Sequence, residues 1–260
     1  MAESYKTMAP ETARKIKVVM TDIDGTLTSG EGLKPGESRF GPKVAEAVRR
    51  LEENGIMVGF VSGRNIPDLE HYAGELNASG PLIAENGALA KMRSGGELIE
   101  LGFRRDVVTV ALDKLNRLFP GAIESGQWNN TRQVDLIIIL HGVSGNEIRQ
   151  HLDDTDLLDS GYVFHLTPRG ATKGKTLLRI LDNEPLSSLS LDEVLVMGDA
   201  PTDLSLFQCF TLGVQVINPA IPVANQAILR EAARYTSESC CDEGFAEVAN
   251  YILELRNGRQ

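Results

Sequence analysis

Short apolar runs rich in β-branched residues alternate along this chain with segments whose apolar positions recur every three or four residues. The first run, Ile16-Lys17-Val18-Val19-Met20, gives way to Thr21-Asp22-Ile23-Asp24-Gly25, a pattern that predicts a buried strand and a sharp turn. Val44, Val48 and Leu51 then recur at helical spacing, with Gly55 as a stop. Four more strand-like runs follow. Ile56 to Val61 ends at Ser62-Gly63-Arg64, and Pro81 to Ala84 ends at Glu85-Asn86-Gly87. Val194 to Met197 ends at Gly198-Asp199, and Leu212 to Ile217 ends at Asn218-Pro219. A last helix carrying Phe245, Val248, Ile252 and Leu255 is expected to pack back on the core.

Strands alternating with helices predict an α/β fold, a doubly wound parallel sheet covered on both faces. Such sheets bind ligands outside the carboxyl ends of their strands. Here those ends carry Asp22 and Asp24, Ser62, Asn86 and Asp199, so four polar clusters are expected on one edge. The middle reads differently. Val107, Ala111, Leu115 and Leu118 form a helical face stopped by Pro120, and Val134 to Leu140 and Tyr162 to Leu166 read as strands. A structureless loop of this length is uncommon, so residues 88–168 are expected to form an inserted α+β unit. Residues 16–87 and 169–260 then make the core domain, and residues 1–15 a loose N-terminal tail.

With 42% hydrophobic and 24% charged residues the chain is neither disordered nor short of core material. A net charge of −10 argues against nucleic acid or an anionic membrane as partner, because both call for a basic surface. It leaves room for a small phosphorylated metabolite, since local charge can oppose net charge. Cys209, Cys240 and Cys241 are odd in number and lack the spacing of a disulfide framework or zinc site. Met1 to Lys17 contains no apolar segment of signal-peptide type, and no run approaches the ~20 apolar residues of a membrane span. The expectation is a cytoplasmic chain with reduced thiols.

Asp22 and Asp24 lie two apart at a strand end, so continued extended geometry would point both side chains the same way. Paired carboxylates there can bind a hard cation or divide into nucleophile and acid/base. An Asp-Gly turn would also end a strand with no chemistry at all. The full string Asp22-Ile23-Asp24-Gly25-Thr26-Leu27-Thr28 resembles motif I of the haloacid dehalogenase superfamily of phosphohydrolases. Phe60-Val61-Ser62-Gly63 resembles motif II. Lys173-Gly174, after Pro168-Arg169-Gly170, resembles motif III, and Val194 to Asp199 with Asp203 resembles motif IV. From Asp22 to Ser62 is 40 residues, but from Ser62 to Lys173 is 111, and one branch of the superfamily places a large cap in that interval. Within that branch, Gly80 to Gly87 and His165 to Gly170 are similar to archaeal-type phosphoglycolate phosphatases, with sucrose-phosphate and mannosyl-phosphoglycerate phosphatases as near relatives.

The resemblance implies a Rossmann-like core with an inserted α+β cap, and a magnesium-dependent phosphatase. Asp22 would be the nucleophile and Asp24 the acid/base, with Ser62 and Lys173 on the phosphoryl oxygens. Asp22, Asp199 and the backbone carbonyl of Asp24 would hold magnesium, supported by Asp203. Gly63, Arg64, Asn86 and Arg169 are the substrate-binding candidates, Arg169 for a substrate carboxylate. Lys175 competes with Lys173 as the phosphate lysine, although Gly170 to Thr176 is one residue short of P-loop spacing. His165 is expected to be a half-exposed structural residue of the insert. The chain departs from the family's usual Gly-Asp-x-x-Asn-Asp by carrying Thr202 where an Asn is usual. A phosphomannomutase-like phosphotransferase and a non-catalytic phospho-ligand sensor are the alternative functions.

Overall fold

The computed structural model describes residues 1–29 and 40–258. The expectation of a loose tail over residues 1–15 is corrected. Strand β1 (Glu3–Ser4) and helix α1 (Pro10–Lys15) belong to the fold, and Glu3 is registered against Tyr235 at the edge of the main sheet. The segment's polarity conceals three buried anchors, Tyr5, Met8 and Ala13. Pro10 opens α1, where its missing N–H costs nothing.

Next come β2 (Val18–Thr21), α2 (Pro42–Glu53), β3 (Met57–Val61), α3 (Ile66–Leu76) and β4 (Leu82–Ala84), after which β5 (Leu89–Lys91) turns back antiparallel on β4. The middle of the chain holds α4 (Arg105–Leu118), β6 (Ile123–Glu124), β7 (Leu136–Leu140), α5 (Gly145–Arg149), β8 (Thr155–Asp159) and β9 (Phe164–Pro168). It then returns through α6 (Lys173–Leu181), β10 (Val194–Gly198), α7 (Leu204–Cys209), β11 (Leu212–Ile217), α8 (Val223–Ala232), β12 (Tyr235–Cys240) and α9 (Cys241–Arg256).

The large sheet has the order β1-β12-β11-β10-β2-β3-β4-β5 and is parallel except for the β4–β5 pair. Its central strands are mostly apolar because both faces are covered, with Thr21 and Gln215 as buried polar members. The alternation of β2 divides its side chains between two clusters. Val19 joins residues of α1, α2, α3 and α9, such as Ala13, Val48, Leu69 and Ile252. Val18 and Met20 join residues of α6, α7 and α8, such as Leu177, Phe207 and Leu229. In α2 the helical spacing does what the sequence pattern predicts: Val44, Ala47, Val48 and Leu51 are its buried face.

A second sheet, β6-β7-β9-β8, is antiparallel and packs with α4 and α5 around Val108, Leu115, Leu136, Ile138, Ile148, Leu157 and Leu166. The expected boundary at residue 88 is displaced, since Leu89–Lys91 still pairs into the large sheet. The strand expected from Val134 starts at Leu136, because the Glu85 carboxylate takes the backbone N–H groups of Gln133, Val134 and Asp135. The strand expected from Tyr162 starts at Phe164, because the Ser160 hydroxyl and the Val163 carbonyl close a turn first. Among the described residues, no helix is long and apolar enough to cross a membrane.

Candidate active site

Across the sheet, strands β11, β10, β2, β3 and β4 are followed by Asn218, Asp199, Asp22, Ser62 and Glu85-Asn86. The parallel register makes neighbours of residues far apart in sequence. Thr21 is aligned with both Met197 and Phe60, and the Asp22 N–H donates to the Met197 carbonyl at 2.9 Å. Asp22 therefore stands beside Asp199. Oxygens of Asp22, Asp199 and Asp203, all buried, lie within 4.8 Å of one another.

The Lys173 ammonium lies among these carboxylates, 2.8 Å from Asp22 Oδ2 and 2.6 Å from Asp203 Oδ1. Lys173 is the first residue of α6, capped by the Thr172 hydroxyl, and is 1% exposed. Lys175, by contrast, is exposed. Gly174 sets the depth of Lys173, since a Cβ there would lie 2.0 Å from the Ser205 carbonyl oxygen. Only glycine lets α6 approach the start of α7 this closely.

Three buried carboxylates face one ammonium. Burial raises the Asp22 carboxyl to about 7, with Lys173 opposing the shift and Asp203 adding to it. Burial, reinforced by Asp203 and Asp22, pushes Asp199 well above the usual carboxylate range. Burial disfavours the Lys173 ammonium, but Asp203 and Asp22 outweigh it and hold its pKa above the ordinary value. Hard anionic oxygens in excess of their counter-charge suit a small divalent cation. Asp22 and Asp199 fit as its ligands. Asp203 is more committed: Oδ1 accepts from Lys173, and Oδ2 accepts from the N–H groups of Asp199 and Ala200 at 3.0 and 2.9 Å. It thus fixes the ammonium and the loop that presents Asp199.

Asp199 is held on both oxygens. The Thr26 hydroxyl donates to Oδ1 at 2.6 Å and the Asn218 amide to Oδ2 at 2.7 Å. Neither residue is among the site residues expected from the sequence. Thr26 sits inside motif I, and Asn218 ends a strand on the same edge, so strand-end position was the available signal. Thr202 carries no amide, yet Asp199 receives an amide donor from the neighbouring strand end.

Asp24 departs from this group. Extended backbone ends at Thr21, so the premise that Asp22 and Asp24 share one side lapses. Arg64 takes both Asp24 oxygens, Nε to Oδ2 at 2.7 Å and Nη2 to Oδ1 at 2.6 Å. Arg64 also reaches Asp68 at 3.5 Å and lies over the Tyr72 ring. Ser62 is buried, and its hydroxyl accepts from the Arg64 N–H at 3.3 Å.

Glu85 and Asn86 both have positive φ, 50° and 56°. Their surroundings hold them there. The Glu85 N–H donates to the Arg64 carbonyl and the Asn86 N–H to the Ser62 carbonyl. The Glu85 carboxylate meanwhile accepts from residues 133–135. The Asn86 amide reaches the buried Asp135 at 3.4 Å, which is also paired with Arg132 and His165. Arg132 in turn donates to the Gly63 carbonyl at 2.6 Å. His165 corrects its expectation: it is buried, with Nδ1 3.0 Å from Asp135 Oδ2, and burial lowers its pKa. Arg169 is a second correction. It is exposed, and its Nη2 reaches the Leu152 carbonyl, at the end of β9 away from the Ser160–Val163 turn that approaches the site. Among the described residues, a cavity of about 520 Å³ opens between the two units, lined by Gly63, Arg64, Trp128, Thr131, Arg132 and His165.

Comparison with known proteins agrees with this geometry. The family described as haloacid dehalogenase-like hydrolase matches residues 19–124 and 144–248. The chain is 28% identical over 242 residues to the phosphoglycolate phosphatase of Methanothermobacter thermautotrophicus, covering 92% of this chain and 99% of that one. It is 26% identical over 237 residues to the phosphoglycolate phosphatase of Methanoculleus marisnigri, covering 89% and 94%. Its fold is similar to that of a Thermoplasma acidophilum protein of known structure, with TM-score 0.76, 22% identity and coverage of 92% and 99%. It is also similar to a haloacid dehalogenase-like hydrolase from Bacteroides thetaiotaomicron, with TM-score 0.70, 20% identity and coverage of 91% and 99%. The order of the strand ends, the buried carboxylates around Lys173 and a match over most of the chain agree: this protein belongs to the haloacid dehalogenase-like hydrolases.

Proposed function

We propose that the protein is a magnesium-dependent phosphatase that hydrolyses a small phosphomonoester, with phosphoglycolate as the first candidate substrate. The observation that carries this reading is the buried cluster of Asp22, Asp199, Asp203 and Lys173 at the carboxyl edge of the sheet. A carboxylate nucleophile attacking a phosphoryl group needs the charge on the phosphoryl oxygens neutralised, and Lys173 is placed to contribute. A divalent cation bound by Asp22 and Asp199 would supply the remaining positive charge.

An Asp22 carboxylate oxygen forms a bond to phosphorus as the bond from phosphorus to the leaving oxygen breaks. Asp24 gives that oxygen its proton. Water, deprotonated by Asp24, then attacks the aspartyl phosphate, releasing inorganic phosphate and restoring Asp22. Because Arg64 occupies both Asp24 oxygens here, proton transfer requires one of them to be freed. Ser62 would donate to a phosphoryl oxygen. The unit built on the second sheet would act as a cap that excludes water and selects the leaving group, with Gly63, Arg64 and Asn86 at the junction. The names of the relatives support phosphoglycolate, and the size of the cavity supports a small ester. The low cysteine count supports a cytoplasmic setting.

Phosphate release should be measured with magnesium and with chelator, across phosphoglycolate, sugar phosphates, phosphoglycerates and mononucleotides. Release should require magnesium and be fastest from phosphoglycolate, and Asp22→Asn should reduce it by about a thousandfold or more. Faster release from a sugar phosphate would displace the substrate and keep the chemistry. Full activity in the Asp22 variant would refute the nucleophile, and phosphate retained on the sugar would point to a phosphotransferase.

A further inference from the structure

The turn between β8 and β9 reaches across to the metal side of the site. Gly161 at its tip packs against Ile221, where an added Cβ would lie 2.5 Å from Ile221 Cδ1. The neighbouring Tyr162 has its ring half in solvent, but its hydroxyl accepts a hydrogen bond from Asn218 Nδ2 at 2.9 Å. The same Asn218 nitrogen donates to Asp199 Oδ2 at 2.7 Å. Asn218 is 1% exposed, and its Oδ1 accepts from the Ala220 N–H at 2.9 Å. An amide nitrogen carries two protons, and here one goes to the second unit and the other to Asp199.

We propose that Tyr162 is a positioning residue that, through Asn218, couples seating of the β8–β9 turn to the cation affinity of Asp199. This rests on the reading of Asp22 and Asp199 as cation ligands. Partners that orient a ligating carboxylate tune its affinity for metal. Tyr162 is such a partner one step removed, and it belongs to the unit proposed to close over the substrate. The coupling is reciprocal: a cation on Asp199 must favour the seated turn as much as the seated turn favours the cation.

The test is calorimetric titration of Mg²⁺ into the metal-free wild type, Tyr162→Phe, Asn218→Ala and the double variant, with folding checked by circular dichroism. Asn218→Ala should weaken Mg²⁺ binding by about 10- to 100-fold. Tyr162→Phe should weaken it by roughly 2- to 10-fold, the worth of one neutral hydrogen bond. The double variant should bind like Asn218→Ala alone, because Tyr162 acts only through the amide. Hydrogen exchange at Ser160 to Val163 should slow when Mg²⁺ is added to the wild type and not to Asn218→Ala. Unchanged affinity in Tyr162→Phe, additive losses, or exchange indifferent to Mg²⁺ would each overturn the proposal while leaving the cation site in place. A wild type that binds no Mg²⁺ would overturn the cation site and this proposal with it.

Discussion

In the proposed reaction Asp22 must be ionised to attack phosphorus, yet it lies where burial favours its neutral form, which raises its carboxyl to about 7 from an ordinary 3.8. The sign of the consequence for stability follows by linkage. Between about pH 4 and 7 the unfolded chain has released a proton that the folded, metal-free protein still holds. Stability from this group is therefore greatest below about pH 4 and is lost as pH rises through about 7. Asp22→Asn has no such proton to lose, so in chelating buffer its thermal midpoint should gain on the wild type across that window and then hold level. A difference independent of pH would show that Asp22 titrates normally. Separate motifs contain Asp22 and Lys173, but what sets their charges is burial, their pairing with each other and Asp203, which no local pattern displays.

At the scale of the element, the placement of Lys173 depends on how α6 lies against the start of α7. Gly174 follows Lys173 directly and allows the backbone contact with Ser205. Gly174→Ala should force the helices apart, costing about 1–3 kcal/mol in stability as overpacking does, and should withdraw Lys173 from Asp22. Urea unfolding gives the first effect, and a further rise of the Asp22 pKa in a pH titration, as the opposing Lys173 charge recedes, gives the second. A variant as stable as the wild type would mean that α6 does not depend on this approach. Strands β2, β3, β4, β10 and β11 were legible as apolar runs because a sheet buried on both faces favours apolar residues at its centre. Strands β1 and β12 were not, because Glu3-Ser4 and Tyr235 to Cys240 carry the mixed polarity of a sheet edge.

In the whole molecule, the two units meet through buried charge. Asp135 is fully buried and bound by Arg132 and His165 from its own unit and by Asn86 from the core. Arg132 and Glu85 each reach across in opposite directions, to the Gly63 carbonyl and to the backbone of residues 133–135. Asp135→Ala strands a buried guanidinium, so it should destabilise the protein by about 3–5 kcal/mol, measured by chemical denaturation. A loss below about 1 kcal/mol would show that water or movement of Arg132 relieves the charge, and that the units are not pinned there.

The order of apolar runs and the residues that end them determined the α/β class and the gathering of Asp22, Ser62 and Asp199 at one edge of the sheet. Strand periodicity and turn chemistry are local, so a one-dimensional pattern contains them. Where Asp24 points, why His165 is buried, why Arg169 stands apart and how Asn218 and Tyr162 reach Asp199 were decided only by the tertiary structure. Apart from Arg169, whose partner Leu152 is 17 residues away, each depends on a partner between 30 and 56 residues away or on the neighbouring strand, as with Asp24 and Arg64, His165 and Asp135, or Asn218 and Tyr162. Strand register within each sheet and packing between the two units bring such partners together, and no spacing in the chain encodes which of them will meet.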